Sequence, residues 1–232
     1  MQDQPTNFPT TQTDGRPLKS LPEAILERRA TIHFRPGEEV PDEYLRAILQ
    51  FGTQAPSGYN LQPWRFVVVR DAENRRRLQQ VAFGQPKVAE APVVIIAFGM
   101  REEWKQNADE VFQEGIRRGA GDASKVEEAK QGAIGFVSSM SPEMWLNRHT
   151  MIAVTTMMYA AEIYGFDTAP MEGFDAAGVK REFGLPEEAE VVALLAIGRA
   201  QEPDKPYTGR FPLERLVSSE RYGETWKSGN EE

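Results

Sequence analysis

The side chains best suited to chemistry in this chain are arginines and amides. ERRATIHF places Arg28 and Arg29 at a helix end, and TGRFP places Arg210 in a proline-rich tail. A guanidinium presents a planar fork that matches a phosphate dianion better than an ammonium does. Taken alone, each arginine reads as a solvated surface charge. APSGYNLQPWRF, residues 55–66, gathers Pro56, Ser57, Gly58, Asn60, Gln62 and Trp64 in front of an apolar run. The amides of Asn60 and Gln62 each offer a donor and an acceptor, as the polar edge of a heterocycle requires. They serve equally to satisfy backbone groups in a buried loop, and spacing leaves the two readings open.

Other chemistries find little support. The chain holds two histidines and no cysteine. Disulfides, Fe–S clusters, thiolate zinc sites and cysteine nucleophiles are thereby removed. His149 stands beside Arg148 with no HxxxH or HxxE partner, and reads as a surface or packing residue. His33 shows no acidic neighbour suited to orient it, so no metal site is expected. RRGAGDAS, residues 117–124, contains GxG but follows a helix rather than a strand, so it reads as a helix–helix loop. No Walker-type GxxxxGK[ST] occurs.

The 232 residues are enough for one large domain, and 40% hydrophobic with 27% charged residues suits a globular chain. A net charge of −8 argues against nucleic acid and anionic membranes as partners. Residues 1–19 lack a basic and an apolar signal region and read as a flexible lead-in, with the cytoplasm as the expected location.

Order is expected from Ser20, where SLPE forms a capping box. The helix that follows, to about Arg29, sets Leu21, Ala24, Ile25 and Arg28 along one side. Pro41 opens a second helix carrying Leu45, Ile48 and Leu49. The strand WRFVVV comes next, then a helix capped by Asp71. Residues 91–98 read as a strand buried on both faces. Three helices are expected between Arg101 and Gly165, the last capped by Ser141 with Pro142 at its first position. A short extended piece at 168–171, a helix from Asp175 to Gly184 and the strand VVALLAIG close the pattern. The fold class is α+β, in one domain.

ERRATIHF, APSGYNLQPWRFVVV, APMEGFD and TGRFP, in this order, resemble the FMN-dependent nitroreductase family, over about Ser20 to Val217. PSGYNLQPW and MEGFD, the latter followed by VVALLAIGRA, are the strongest motifs. The resemblance implies a small central mixed or antiparallel sheet flanked by long helices, in an intertwined homodimer with FMN between the subunits. Residues 20–200 would form the domain, and 201–232 an extension wrapping the partner. Pro56, Ser57 and Gly58 would line the flavin across the interface, with Asn60, Gln62 and Trp64 holding the loop's shape and Asn60 counted in the cofactor set.

Arg28, with Arg29 and Ala30, would face the ribityl-phosphate end, and Arg210 the phosphate. Lys87, in GQPK with Gln85, would approach the pyrimidine edge and stabilise negative charge there, as an oxyanion hole does. The main chain of Met171, Glu172 and Gly173 would face flavin N5, and no side chain is implied as catalytic. Two departures stand out: Ala30 where the family often has serine, a contact of about 1 kcal/mol, and Ile32 where a basic residue often follows.

The implied reaction is ping-pong. NADH or NADPH would deliver hydride to the flavin, and a nitroaromatic, quinone or similar acceptor would remove it. Residues 101–140 would cover the flavin, with Trp104, Phe112 and Phe136 as pocket candidates whose helical spacing suits core packing as well. Iodotyrosine-dehalogenating and flavin-destroying relatives, or an FMN reservoir without turnover, are the alternatives.

Overall fold

A computed structural model of the chain describes residues 8–201 and 206–226; the rest of the expected lead-in and extension lies outside the described residues. In chain order the elements are α1 (Leu21–Glu27), α2 (Asp42–Thr53), β1 (Trp64–Val69), α3 (Ala72–Val81), α4 (Pro86–Glu90), β2 (Val93–Met100) and α5 (Trp104–Arg117). They continue with α6 (Val126–Ser138), α7 (Pro142–Ile163), β3 (Asp167–Met171), α8 (Ala176–Phe183), β4 (Ala189–Gly198) and α9 (Leu213–Leu216).

The sheet order is β1-β2-β4-β3, with every named pairing antiparallel. Of the mixed or antiparallel alternatives, the strands take the second, and an isolated bridge from Ala30 to Thr168 supplies the parallel contact. β2 is buried along its whole length because both faces are covered. Val94, Ile96 and Phe98 face a core shared with Leu78, Val88 and Val179 of α3, α4 and α8. Val93, Ile95 and Ala97 face Leu45, Ile48, Val154 and Met157 of α2 and α7. A strand's period of two divides one apolar run between two cores.

The caps sit where the sequence sets them. Ser20 Oγ accepts from Glu23 N at 3.4 Å while Ser20 N donates to Glu23 Oε2 at 2.7 Å. Asp71 Oδ1 accepts from Glu73 N and Asn74 N, and Ser141 Oγ accepts from Met144 N. α1 stops at Glu27 because Arg28 (φ −53°, ψ 128°) leaves the helical region. Its expected apolar stripe is buried at Ala24 only, and Leu21, Ile25 and Leu26 stay exposed. Within residues 8–19 of the expected lead-in, residues 13–17 are exposed, while a few side chains contact the domain. Phe8 stacks on Phe51 at 4.8 Å, Gln12 is buried, and Lys19 reaches Glu162 at the end of α7.

Candidate active site at the two sheet edges

One set of candidate residues gathers along β3. Ala30 bridges Thr168, and Thr31 N donates to Thr168 O at 3.0 Å, which lays the ERRAT segment on that edge. Glu90 of α4 accepts from Phe34 N at 3.2 Å and meets His33 Nδ1 at 3.1 Å. His33 therefore does have an orienting carboxylate, one that sequence spacing hid because it lies on another element. Gln85 Nε2 donates to Gly173 O at 2.8 Å and to Ala82 O at 3.2 Å, tying the start of α4 to the MEG turn. Lys87 follows on α4, and Glu172 and Gly173 are exposed beside Gln85. A Cβ on Gly173 would lie 3.5 Å from Gln85 Nε2, an ordinary contact distance, which shows how closely the two segments approach. Met171 is buried as the last residue of β3.

The arginines divide their work. Arg29 Nη1 donates to Leu26 O at 2.6 Å and to Arg28 O at 2.8 Å, capping the carbonyl end of α1. Its guanidinium also stacks 3.9 Å from the Tyr207 ring, and that of Arg210 lies 5.5 Å from the same ring. The tail thus brings Arg210 back to the end of α1. Arg29 is committed to a structural cap, which leaves Arg28 and Arg210 as the cations suited to a phosphate.

A second set lies ahead of β1. Tyr59, Asn60 and Gln62 have φ of 54°, 57° and 45°, left-handed values that side chains other than glycine disfavour. Ser57 Oγ accepts from Gln62 N at 2.9 Å, and Gln62 Nε2 donates to Asn60 O at 3.2 Å. Asn107 of α5 donates to Leu61 O at 2.8 Å and Gln62 O at 3.1 Å. Leu61 and Trp64 are buried beneath. Of the two amides, that of Gln62 has a loop-supporting contact, its donation to the main-chain oxygen of Asn60. Asn107→Ala would remove the donor to Leu61 O and leave Gln62 O with Arg65 Nη1 at 3.3 Å, a loss of about 1–3 kcal/mol. Thermal melting is expected to fall by about 2–4 °C per kcal/mol for a chain of this size; an unchanged melting temperature would show that Asn107 does not hold the loop.

Gly58 faces α7. A Cβ there would meet Trp145 Nε1 at 3.4 Å and His149 Nε2 at 3.6 Å. His149 Nδ1 lies 2.7 Å from Trp145 O, so Nδ1 carries the proton that it donates to this carbonyl. The cleft in front, about 580 Å³, is lined by Gly58, Tyr59, Phe136, Met140, His149 and Ile152 among others. Phe136 is exposed and meets Tyr59 edge-on at 6.2 Å. Phe112 is half-buried and borders a neighbouring apolar cleft with Tyr59 and Ile116. Trp104, whose helical spacing suits core packing as well, is buried, donates its indole N–H to Arg101 O and packs on Trp145 behind the cleft. His149, read from the sequence as a bystander, lines the cleft because the fold sets the 55–63 loop against α7.

The two sets occupy opposite edges of one sheet. The start of β1 and the end of β3 point to the same end of the sheet but stand three strand spacings apart laterally, about 14 Å, with Met171 level with Val67 and not with Trp64. The family model for the nitroreductase family matches residues 25–199. The chain belongs to the nitroreductase family. An NADH dehydrogenase of Thermus thermophilus is 37% identical, over 87% of this chain and 96% of its own. MhqN of Bacillus subtilis, which carries a provisional NAD(P)H nitroreductase name, is 30% identical over 83% of this chain and 95% of its own. A protein from Exiguobacterium sibiricum, solved in complex with FMN, superposes with a TM-score of 0.79 at 22% identity, covering 91% of this chain and all of that one. The nitroreductase-like α+β fold read from the motifs is the fold observed. Among the described residues no helix is long and apolar enough to cross a membrane.

Proposed function

We propose that this nitroreductase is an FMN-dependent oxidoreductase that moves hydride from NADH or NADPH to a small electrophilic acceptor, a quinone or nitroaromatic, in a ping-pong cycle. The observation that supports the reading is that β3 ties two of the candidate segments together: Ala30 bridges Thr168 near its start, and Gln85 donates to Gly173 just beyond its end. That donor set suits FMN. Arg28 and Arg210 offer guanidinium groups for a phosphate, Lys87 a cation for an electron-rich heterocycle edge, and the exposed main chain at Glu172 and Gly173 further donors. FMN, when bound, supplies the hydride chemistry, while the chain orients it and controls access.

Gly58 and its loop stand on the far edge of the same protomer, so they would meet the cofactor only across a two-fold axis. A homodimer also accounts for the exposed Leu21, Ile25 and Leu26 of α1, which a lone protomer leaves in water. Residues 206–226 would then lie along the partner subunit. A flavin-binding protein without turnover is the second reading. It is favoured by Ala30, which lacks the hydroxyl the family often carries there, and by the exposed Ile32, which offers no charge and leaves Lys87 as the main cation for the pyrimidine edge.

The test is anaerobic mixing of the FMN-loaded protein with NADH and, separately, NADPH. Bleaching of the flavin band near about 450 nm, and its return on adding a quinone, is the expected result. Bound flavin that stays oxidised with both donors transfers the protein to the second reading. A chain that takes up no FMN overturns both.

A further inference from the structure

His149 and Trp145 present two nitrogens at one spot beside Gly58. Nδ1 of His149 donates to Trp145 O, so in the neutral ring the Nε2 lone pair is free to face Gly58, and the protonated ring puts an N–H there. Trp145 Nε1–H lies on the same side of that glycine and donates to no acceptor among the described residues. Gly58 has no side chain to fill the notch, and an alanine methyl would stand against both nitrogens. The cleft in front is otherwise largely apolar. α6 contributes Phe136 and Val137, the turn after it Met140, α7 adds Ile152, and the loop adds Tyr59. Arg148 is the other charged side chain lining it, and no carboxylate lines it among the described residues.

We infer that this notch holds the oxygen of the electron acceptor, with Trp145 Nε1–H donating to it and His149 Nε2 supplying the proton that hydride transfer leaves owing. The inference rests on the oxidoreductase reading above. Its chemistry balances. A para-quinone that receives one hydride becomes a hydroquinone monoanion, and one further proton completes the hydroquinone. Imidazolium at His149 gives up its Nε2 proton to that oxygen and becomes the neutral Nδ1–H form, which the Trp145 carbonyl already selects. Solvent then returns the proton. An apolar cleft beside a single titratable imidazole and a fixed N–H donor suits a flat quinone, whose ring packs on Phe136 and Tyr59 while its oxygen is held polar.

Two measurements test this. The chain has only two histidines, so nitrogen-15 histidine spectra of the FMN-loaded protein show two imidazoles, and His149→Gln assigns them. The neutral His149 ring is expected as the Nδ1–H tautomer, and the Nε2–H tautomer would overturn the assignment. Second, the wild-type protein is reduced with NADH, and its reoxidation by a para-quinone is followed by stopped flow across a pH series. The wild-type rate constant is expected to fall as pH rises, the signature of a step that takes its proton from the protein. His149→Gln, which keeps a donor but cannot titrate, is expected to lose that limb and to be at least about tenfold slower at its acid end. Gly58→Ala is expected to slow the same step by masking Nε2. Tyr59→Phe, which removes the cleft's other titratable side chain, is expected to keep the limb. A His149→Gln protein with the wild-type rate and profile would refute the proton role and leave the oxidoreductase reading standing. A wild-type flavin that NADH and NADPH fail to bleach would end the oxidoreductase reading and the proton role together.

Discussion

A chain ending at Ala200 is expected to purify as a monomer and to bind FMN at least about tenfold more weakly than the full chain. Two independent losses combine. Truncation removes Arg210, the cation that the tail returns to the end of α1 beside Arg29 and Tyr207. A hydrogen bond to a charged group contributes about 1.5–3 kcal/mol, and each 1.4 kcal/mol is about tenfold in affinity. Truncation also removes Tyr207, Phe211, Leu213, Leu216 and Trp226, large apolar side chains that the protomer leaves substantially exposed. Full burial of one such side chain stabilises by about 1.5–3 kcal/mol, so an extension laid on a partner subunit would supply much of the association energy.

Light scattering and a fluorescence titration with FMN check the two effects separately. Arg210→Ala in the full chain is the companion variant: it should remain dimeric and lose only the flavin affinity. A truncated chain that stays dimeric and binds FMN as before would show that the tail neither wraps the partner nor reaches the phosphate.

The elements that the sequence reveals are those whose causes are local. Ser20, Asp71 and Ser141 cap helices because each accepts from amides two or three residues on. β2 reads as buried on both faces because eight successive residues carry the pattern. The GxG run reads as a helix–helix loop, and it does join α5 to α6. What spacing hides depends on elements that meet only in the fold. Glu90 reaches His33, and Gly58 reaches His149, through contacts that no periodicity encodes. Helix α4 escapes notice because five residues carry no full apolar period, yet it positions Lys87 and Glu90. The stripe on α1 is visible as a helix face, but nothing in its spacing says whether it is covered by its own protomer. The same ambiguity makes Trp104 look like a pocket residue when its ring is filling the core behind Trp145.

Lys19→Met is expected to destabilise the fold by about 3 kcal/mol or more at pH 8, and by clearly less at pH 5. Lys19 Nζ lies 2.5 Å from Glu162 Oε1 and 2.9 Å from Glu27 Oε2, and the Glu162 side chain is only 7% exposed. Burial pushes the Glu162 carboxyl above its ordinary value, against the opposing pull of Lys19. Burial also pulls the Lys19 ammonium down, but its bonds to Glu162 and Glu27 outweigh that and leave it raised. The two shifts point apart in meaning: the rise at Lys19 marks a favourable pair, while the rise at Glu162 marks a charge whose desolvation exceeds what the pair returns. Glu162 governs the response near neutrality, because it is the more buried and because the Lys19 contribution is fully present below about 10.5.

A carboxyl raised in the fold holds its proton more tightly there than in the unfolded chain. Its contribution is therefore most favourable at acid pH and declines as pH rises through the raised value. Without Lys19 the ionised form of Glu162 is buried and unpaired by that residue, so the decline becomes steeper and the difference from wild type widens between pH 5 and pH 8. Urea unfolding at the two pH values measures this, and Lys19→Met with Glu162→Gln should recover most of the loss at pH 8. Equal losses at both pH values, or no recovery in the double variant, would show that the pair does not set the stability of this junction. The consequence reaches the site, since Lys19 immediately precedes the α1 cap and joins it to the end of α7. A junction loosened at pH 8 is one that holds Arg28 and Arg29 less firmly against the β3 edge.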